Sequence, residues 1–144
     1  MNSSFPRLEE GLHVTGQIDA DDLPAIAAAG FRSLICNRPD GEAPGQASMA
    51  QIAAEAARLG LPLRCVPVVG SAIGEADIAA QRAALAELPR PILAYCRSGN
   101  RCSVLWALAR AAALPTDEII ATALNAGYDL SGLRPWLQAR AAAR

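Results

Sequence analysis

One cysteine and two arginines fall within the six residues Cys96-Arg97-Ser98-Gly99-Asn100-Arg101. An apolar run precedes them, Pro91-Ile92-Leu93-Ala94-Tyr95, and an Ala/Leu-rich stretch follows from about residue 103 to residue 113. The run predicts a buried strand and the stretch predicts a helix. A tight strand-to-helix turn aims backbone N–H groups and the positive end of the helix dipole at its own centre. A thiol at that centre loses its proton easily and sits under an anion-binding ring of amides. The segment therefore has the chemistry of a nucleophilic thiolate, Cys96, acting on a group that carries an oxyanion.

The neighbours divide the remaining tasks. Gly99 lets the chain turn and approach a ligand without a Cβ in the way. Arg101, at the entry to the helix, is the candidate catalytic cation, able to reach back over the turn with planar donors that stay charged. Arg97 is a candidate for attracting the anion, and Ser98 and Asn100 are expected to supply backbone amides. Arg38, in the loop after an earlier strand, is a further candidate anion ligand. Cys102 either packs in the first helical turn or acts as a resolving thiol for an oxidised Cys96. Cys36 and Cys65 lie in apolar runs and read as small buried hydrophobes. His13 reads as a structural histidine, and Trp106, Trp136 and Tyr128 as packing aromatics. The four cysteines and the single histidine show no metal-ligand spacing, so neither a metal nor a cofactor is expected.

Alternating apolar runs and amphipathic stretches must position these residues. Residues 12–16, 31–37, 63–69 and 91–95 read as strands, and 19–30, 48–59, 75–88, 103–113, 116–125 and 133–143 as helices. Asp21 or Asp22 and Ser48 suit N-caps, and Gly30 and Gly60 suit helix ends. Residues 38–47, with two prolines and two glycines, read as a loop. The alternation predicts an α/β fold with a mostly parallel central sheet flanked by helices, a single domain over residues 1–144. In such sheets ligands bind at the carboxyl ends of strands. The loops at 37–40, 69–71 and 96–101 would then share one rim. Hydrophobic residues make up 52% of the chain and aromatics only 4%, which suits thin helices packed closely on a sheet. A net charge of −1 points away from nucleic acid and acidic membranes as partners. No apolar run approaches the roughly 18 residues of a membrane span. Residues 1–7 lack an apolar signal core, so a cytoplasmic location is expected.

The loop Cys96-Arg97-Ser98-Gly99-Asn100-Arg101 resembles the active loop of rhodanese sulfurtransferases. The rest of the chain resembles instead a family of small bacterial protein-tyrosine-phosphatase-like proteins, first named as a domain of unknown function. That domain is also found fused to beta-lactamase-fold persulfide dioxygenases, in the beta-lactamase-hydrolase-like proteins. The likeness runs through Leu12-His13-Val14-Thr15-Gly16-Gln17-Ile18, Gly30 to Glu42, Val66-Pro67-Val68, the cysteine loop and Trp106-Ala107-Leu108. It implies a three-layer phosphatase-like fold, with Cys96 as nucleophile and Arg101 as its cation. The family carries both phosphatase and sulfur-transferase labels.

Two features of the residues weigh between those labels. Tyrosine-phosphatase-like enzymes place five residues between cysteine and arginine; here there are four, and Cys102 stands at the phosphatase arginine's place. The loop expected to bring a general acid, Val68 to Gly74, has no carboxylate. Glu75 and Asp77 follow it but suit a helix N-terminus, and Asp40 is a stray candidate. An alkoxide leaving group needs a proton, whereas sulfite or a thiolate does not. The expected activity is therefore sulfur transfer. Cys96 would take a sulfane sulfur from thiosulfate, glutathione persulfide or a protein persulfide and pass it to a thiol or to cyanide. A persulfide dioxygenase is a candidate partner. The alternatives are a cysteine-dependent phosphatase with a phosphocysteine intermediate and a non-catalytic persulfide- or anion-binding module.

Overall fold

The structure is a computed structural model and describes residues 5–143. Five strands form one sheet in the order β1-β2-β5-β3-β4. These are β1 (Arg7–Glu9), β2 (Leu12–Thr15), β3 (Ser33–Cys36), β4 (Leu63–Cys65) and β5 (Ile92–Tyr95). β2, β5, β3 and β4 run parallel, and β1 pairs antiparallel with β2 at one edge. The helices are α1 (Leu23–Ala28), α2 (Met49–Arg58), α3 (Glu75–Glu87), α4 (Asn100–Arg110), α5 (Thr116–Asn125) and α6 (Arg134–Ala142).

β5 is the central strand, and all four of its residues are buried. Successive side chains of a strand point to opposite faces, and the two cores follow that rule. Ile92 and Ala94 join Leu12, Val14, Leu105 and Trp106 on the face covered by α3 to α6. Leu93 and Tyr95 join Leu34, Leu23, Ile26 and Ile52 under α1 and α2. Three layers result, with the sheet in the middle.

The expected strand 63–69 is cut short after Cys65. Pro67 has no N–H to donate, so the chain continues as an extended segment whose Val66 and Val68 amides donate to Cys36 and Asn37 carbonyls. The expected helix at 19–30 opens instead with a 3-10 turn, Ala20–Asp22, and α1 proper starts beside Pro24. Nothing in the composition of residues 7–9 announces β1. Its Glu9 is tied instead to Arg110 of α4, a pairing 101 residues distant in sequence. Ser48 caps α2 as expected, its Oγ accepting from the Gln51 amide at 3.1 Å.

Of the two tryptophans expected to pack, Trp106 lies buried in the core, whereas Trp136 is 37% exposed on α6. Likewise Cys36 is buried while Cys65 is exposed, because β4 is an edge strand. His13 is buried in β2, its Nδ1 3.0 Å from the Phe5 carbonyl and its ring edge-on to Phe31. Among the described residues no helix is long and apolar enough to cross a membrane.

Candidate active site

Cys96 follows the last residue of β5, at the carboxyl end of the central strand. Its amide donates to the Thr15 carbonyl of β2 at 3.3 Å, and the Asn37 amide donates to the Tyr95 carbonyl at 2.9 Å. The two neighbouring strands thus fix the base of the loop from both sides. Gly16, just past β2, lies so close that a Cβ there would stand 2.9 Å from the Arg97 carbonyl oxygen. A glycine is what lets the cysteine loop settle against β2.

α4 begins at Asn100, three residues before the Ala/Leu-rich run suggested. The turn between strand and helix is correspondingly tight, and Gly99 carries it with φ of 93°, in the left-handed region. The Gly99 amide donates to the Cys96 sulfur at 3.0 Å. Ser103 ties the other end, its Oγ donating to the Gly99 carbonyl at 2.9 Å. Cys96 itself is 1% exposed, at the floor of the loop, whereas Arg97, Ser98 and Asn100 are exposed on its rim.

This setting makes Cys96 a thiolate. Hydrogen bonding from the Cys102 thiol is the largest influence; burial opposes it, and the amides of Cys102, Ser98 and Gly99 add to it. The net effect lowers the Cys96 thiol from 9.0 to about 5. Cys102 is displaced the opposite way, raised by its complete burial and then by the negative sulfur beside it. The two cysteines therefore occupy one buried site with different protonation, Cys96 ionised and Cys102 as the thiol that donates to it.

Arg101 does not reach back over the sulfur. Its guanidinium grips Glu42 with two hydrogen bonds, Nη1 to Oε2 at 2.8 Å and Nη2 to Oε1 at 2.7 Å, and Nη1 also donates to the Val68 carbonyl at 2.9 Å. Glu42 raises the Arg101 pKa most, burial opposes it, and Arg101 remains near enough for the Cys96 charge to add to the rise. Arg38 is 4% exposed and meets the same carboxylate, Nε to Oε1 at 2.9 Å, while its Nη1 donates to Gln17 at 3.1 Å. Glu42 is thus held between two arginines, which take its carboxyl down to about 2, Arg101 contributing more than Arg38. A carboxyl so far below neutrality is an ion-pair partner and has no proton to give.

The three acids considered as proton donors are committed elsewhere. Asp40 accepts from the Met49 amide at the start of α2 at 2.8 Å. Asp77 accepts from the Gly74 amide at 2.9 Å, and Glu75 pairs with Arg140 of α6 at 2.6 Å. The rim itself forms as the sheet topology requires. Asn37 is fully buried and trades hydrogen bonds with Gln81 of α3, while its Nδ2 also donates to the Val66 carbonyl at 3.0 Å. That amide pair locks the ends of β3 and β4 together beside the cysteine loop.

Three residues of the site escaped the sequence. Glu42 and Gln17 sit in loops with nothing in composition to single them out, apart from the four-residue spacing of Arg38 and Glu42. Tyr128 packs against the core as expected, and its hydroxyl in addition donates to the Ser98 carbonyl of the cysteine loop at 3.0 Å. The short α5 ends at Asn125, three residues before it, and only this placement brings its ring to the loop.

Residues 4–113 match the family described as the phosphatase-like domain of the beta-lactamase hydrolase-like proteins. The beta-lactamase hydrolase-like protein of Agrobacterium fabrum is 36% identical over 139 residues, covering 95% of this chain. The chain spans about a third of that curated relative's length. A protein of Neisseria meningitidis crystallised under a provisional phosphatase name is 37% identical and superposes with a TM-score of 0.85 over 95% of this chain and 98% of that one. Tk-PTP, at 13% identity, shares the fold with a TM-score of 0.71 over 100% of this chain and 99% of its own. The family description and the Neisseria structure carry phosphatase names, which favours the phosphatase alternative over the sulfur transfer expected from the loop, while Tk-PTP shows the fold alone. The match over most of its length and the three-layer fold around Cys96 place the chain in the phosphatase-like domain family of the beta-lactamase hydrolase-like proteins.

Proposed function

We propose that the protein is a cysteine-dependent phosphatase whose substrates carry a leaving group that departs without a proton, such as an aryl phosphate. The observation behind this reading is the Cys96 sulfur, held as a thiolate at the head of the central strand with the Gly99 amide 3.0 Å away. The sulfur attacks phosphorus and the phosphorus–oxygen bond breaks, the leaving oxygen keeping the electron pair. Water then attacks the phosphocysteine, releasing inorganic phosphate and restoring the thiolate. The loop amides and the N-terminus of α4 hold the oxygens of the transferring group. The phosphatase names of the family description and of the Neisseria structure support the phosphoryl group as cargo. The engagement of Asp40, Glu42, Glu75 and Asp77 supports the restriction on the leaving group. Hydrolysis of para-nitrophenyl phosphate and of an alkyl phosphate tests it. The aryl ester should turn over faster by at least about 10²–10⁴, since the alkyl ester lacks the general acid help of that worth, and Cys96→Ser should be inactive on both. Equal rates on the two esters, or activity retained by Cys96→Ser, would sink the reading.

One feature of the loop favours sulfur transfer as a second reading. Only four residues separate Cys96 from Arg101, and Cys102 fills the next position. A small ring of amides suits a persulfide sulfur. In that reaction the thiolate attacks the sulfane sulfur of thiosulfate or glutathione persulfide, the sulfur–sulfur bond breaks, and sulfite or the thiolate leaves with the electron pair. A thiol or cyanide then takes the sulfur from Cys96. A persulfide dioxygenase as partner belongs to this reading.

A further inference from the structure

We infer that Tyr128 is a positioning residue for the nucleophile: it fixes the Ser98–Gly99 peptide so that its N–H points at the Cys96 sulfur. The carbonyl of Ser98 and the amide of Gly99 are the two ends of one planar unit and point in opposite directions. Tyr128 holds the carbonyl end, its hydroxyl donating at 3.0 Å. The sulfur receives the amide end, also at 3.0 Å. Rotating that unit would take the N–H away from the sulfur and turn a carbonyl toward it. Glycine at 99, with φ of 93°, leaves the unit sterically able to rotate, so the tyrosine supplies a restraint that the backbone lacks.

The placement of Tyr128 is itself well determined. α5 closes with the Gly127 amide donating to the Leu124 carbonyl and the Tyr128 amide donating to the Ala123 carbonyl, both at 2.9 Å. This paired pattern fixes the direction in which the chain leaves the helix. The ring then packs half-buried against the core on the α4 side and over Gly99, where an added Cβ would collide with the hydroxyl oxygen. The hydrogen bond at the carbonyl end also polarises the peptide, strengthening the bond its amide gives to the sulfur.

The inference rests on Cys96 as the nucleophile, whichever group it transfers, and the test reads the sulfur directly. The rate of iodoacetamide alkylation at Cys96, mapped by peptide mass so that exposed Cys65 does not interfere, is followed against pH in the parent and in Tyr128→Phe. Phenylalanine keeps the ring and removes only the hydroxyl. The midpoint of the profile is expected to rise by about one pH unit. Near the parent midpoint alkylation should then slow several-fold, with the thermal midpoint of unfolding little changed. Superimposable profiles would overturn the inference while leaving Cys96 as nucleophile. A Cys96 peptide that shows no acid-shifted profile in the parent would instead overturn the nucleophile itself.

Discussion

A thiol is a nucleophile only as its anion, and the cysteine loop makes that anion from short-range contacts alone. The alkylation rate of Cys96 in the parent protein is therefore expected to rise with pH around a midpoint of about 5 and to be flat by neutrality. A midpoint near the ordinary thiol value of 9.0 would show that the loop does not stabilise the charge. The same depression links to stability. A group whose folded pKa is lowered contributes stability above its unfolded pKa and loses it as pH falls through the folded one, so the loop weakens between about 9 and about 5. Gly16→Ala tests the floor of the loop. Its Cβ would press on the Arg97 carbonyl, a backbone atom with nowhere to go, and catalysis should fall although residue 16 offers no functional group. Unchanged kcat/KM in that variant would mean the loop does not depend on β2 for its shape. Cys96 was legible in the sequence because its signal is local, an apolar strand, a cysteine, a glycine and a helix in order. The direction of Arg101 was not, since its partner Glu42 lies 59 residues away.

At the scale of elements, the strands β2, β3, β4 and β5 and the rim their loops share were readable from the alternation of apolar runs and Ala-rich stretches. What that alternation could not give was where each element stops. α4 reaches back to Asn100 because Gly99 turns the chain at once, and Pro67 ends β4 early. Both shifts matter to the site, since they put Arg101 and Cys102 inside the helix and aim the Val68 carbonyl at Arg101. The loop after β3 is joined to α4 by the Arg38–Glu42–Arg101 cluster. Removing the charge with Glu42→Gln would leave a nearly buried Arg38 with Gln17 as its remaining side-chain partner. A loss of about 2 kcal/mol is expected, the scale of hydrogen bonds to charged groups, read as a lower urea midpoint at constant slope. An unchanged midpoint would demote the cluster to a solvated surface pair.

The whole molecule hangs together through one further, half-buried hub that no periodicity could reveal. Glu9 of β1 accepts from the Trp106 indole at 2.6 Å and pairs with Arg110 at 2.8 Å and Arg90 at 3.0 Å. It thereby fastens the edge strand to α4, the helix that begins at the cysteine loop. Burial alone would raise the Glu9 carboxyl, but hydrogen bonds from Arg110 and Trp106 outweigh it and bring the group down to about 2. That stability is fully present above the unfolded value of 4.5 and is lost as pH falls through about 2. Acid titration of Glu9→Gln should accordingly show a smaller loss between pH 4.5 and pH 2 than the parent. Parallel acid curves for the two proteins would exclude Glu9 as the acid-sensitive tie.

Whether Cys96 covalently carries the transferred group is read by rapid quenching and intact mass measurement. The parent and Cys96→Ser are mixed in turn with para-nitrophenyl phosphate and with thiosulfate. A phosphoryl adduct is expected on the parent alone, released as inorganic phosphate on standing. A sulfur adduct on the parent alone would shift the cargo to sulfane sulfur and keep the nucleophile. An adduct on neither substrate, or one that persists in Cys96→Ser, would contradict the account.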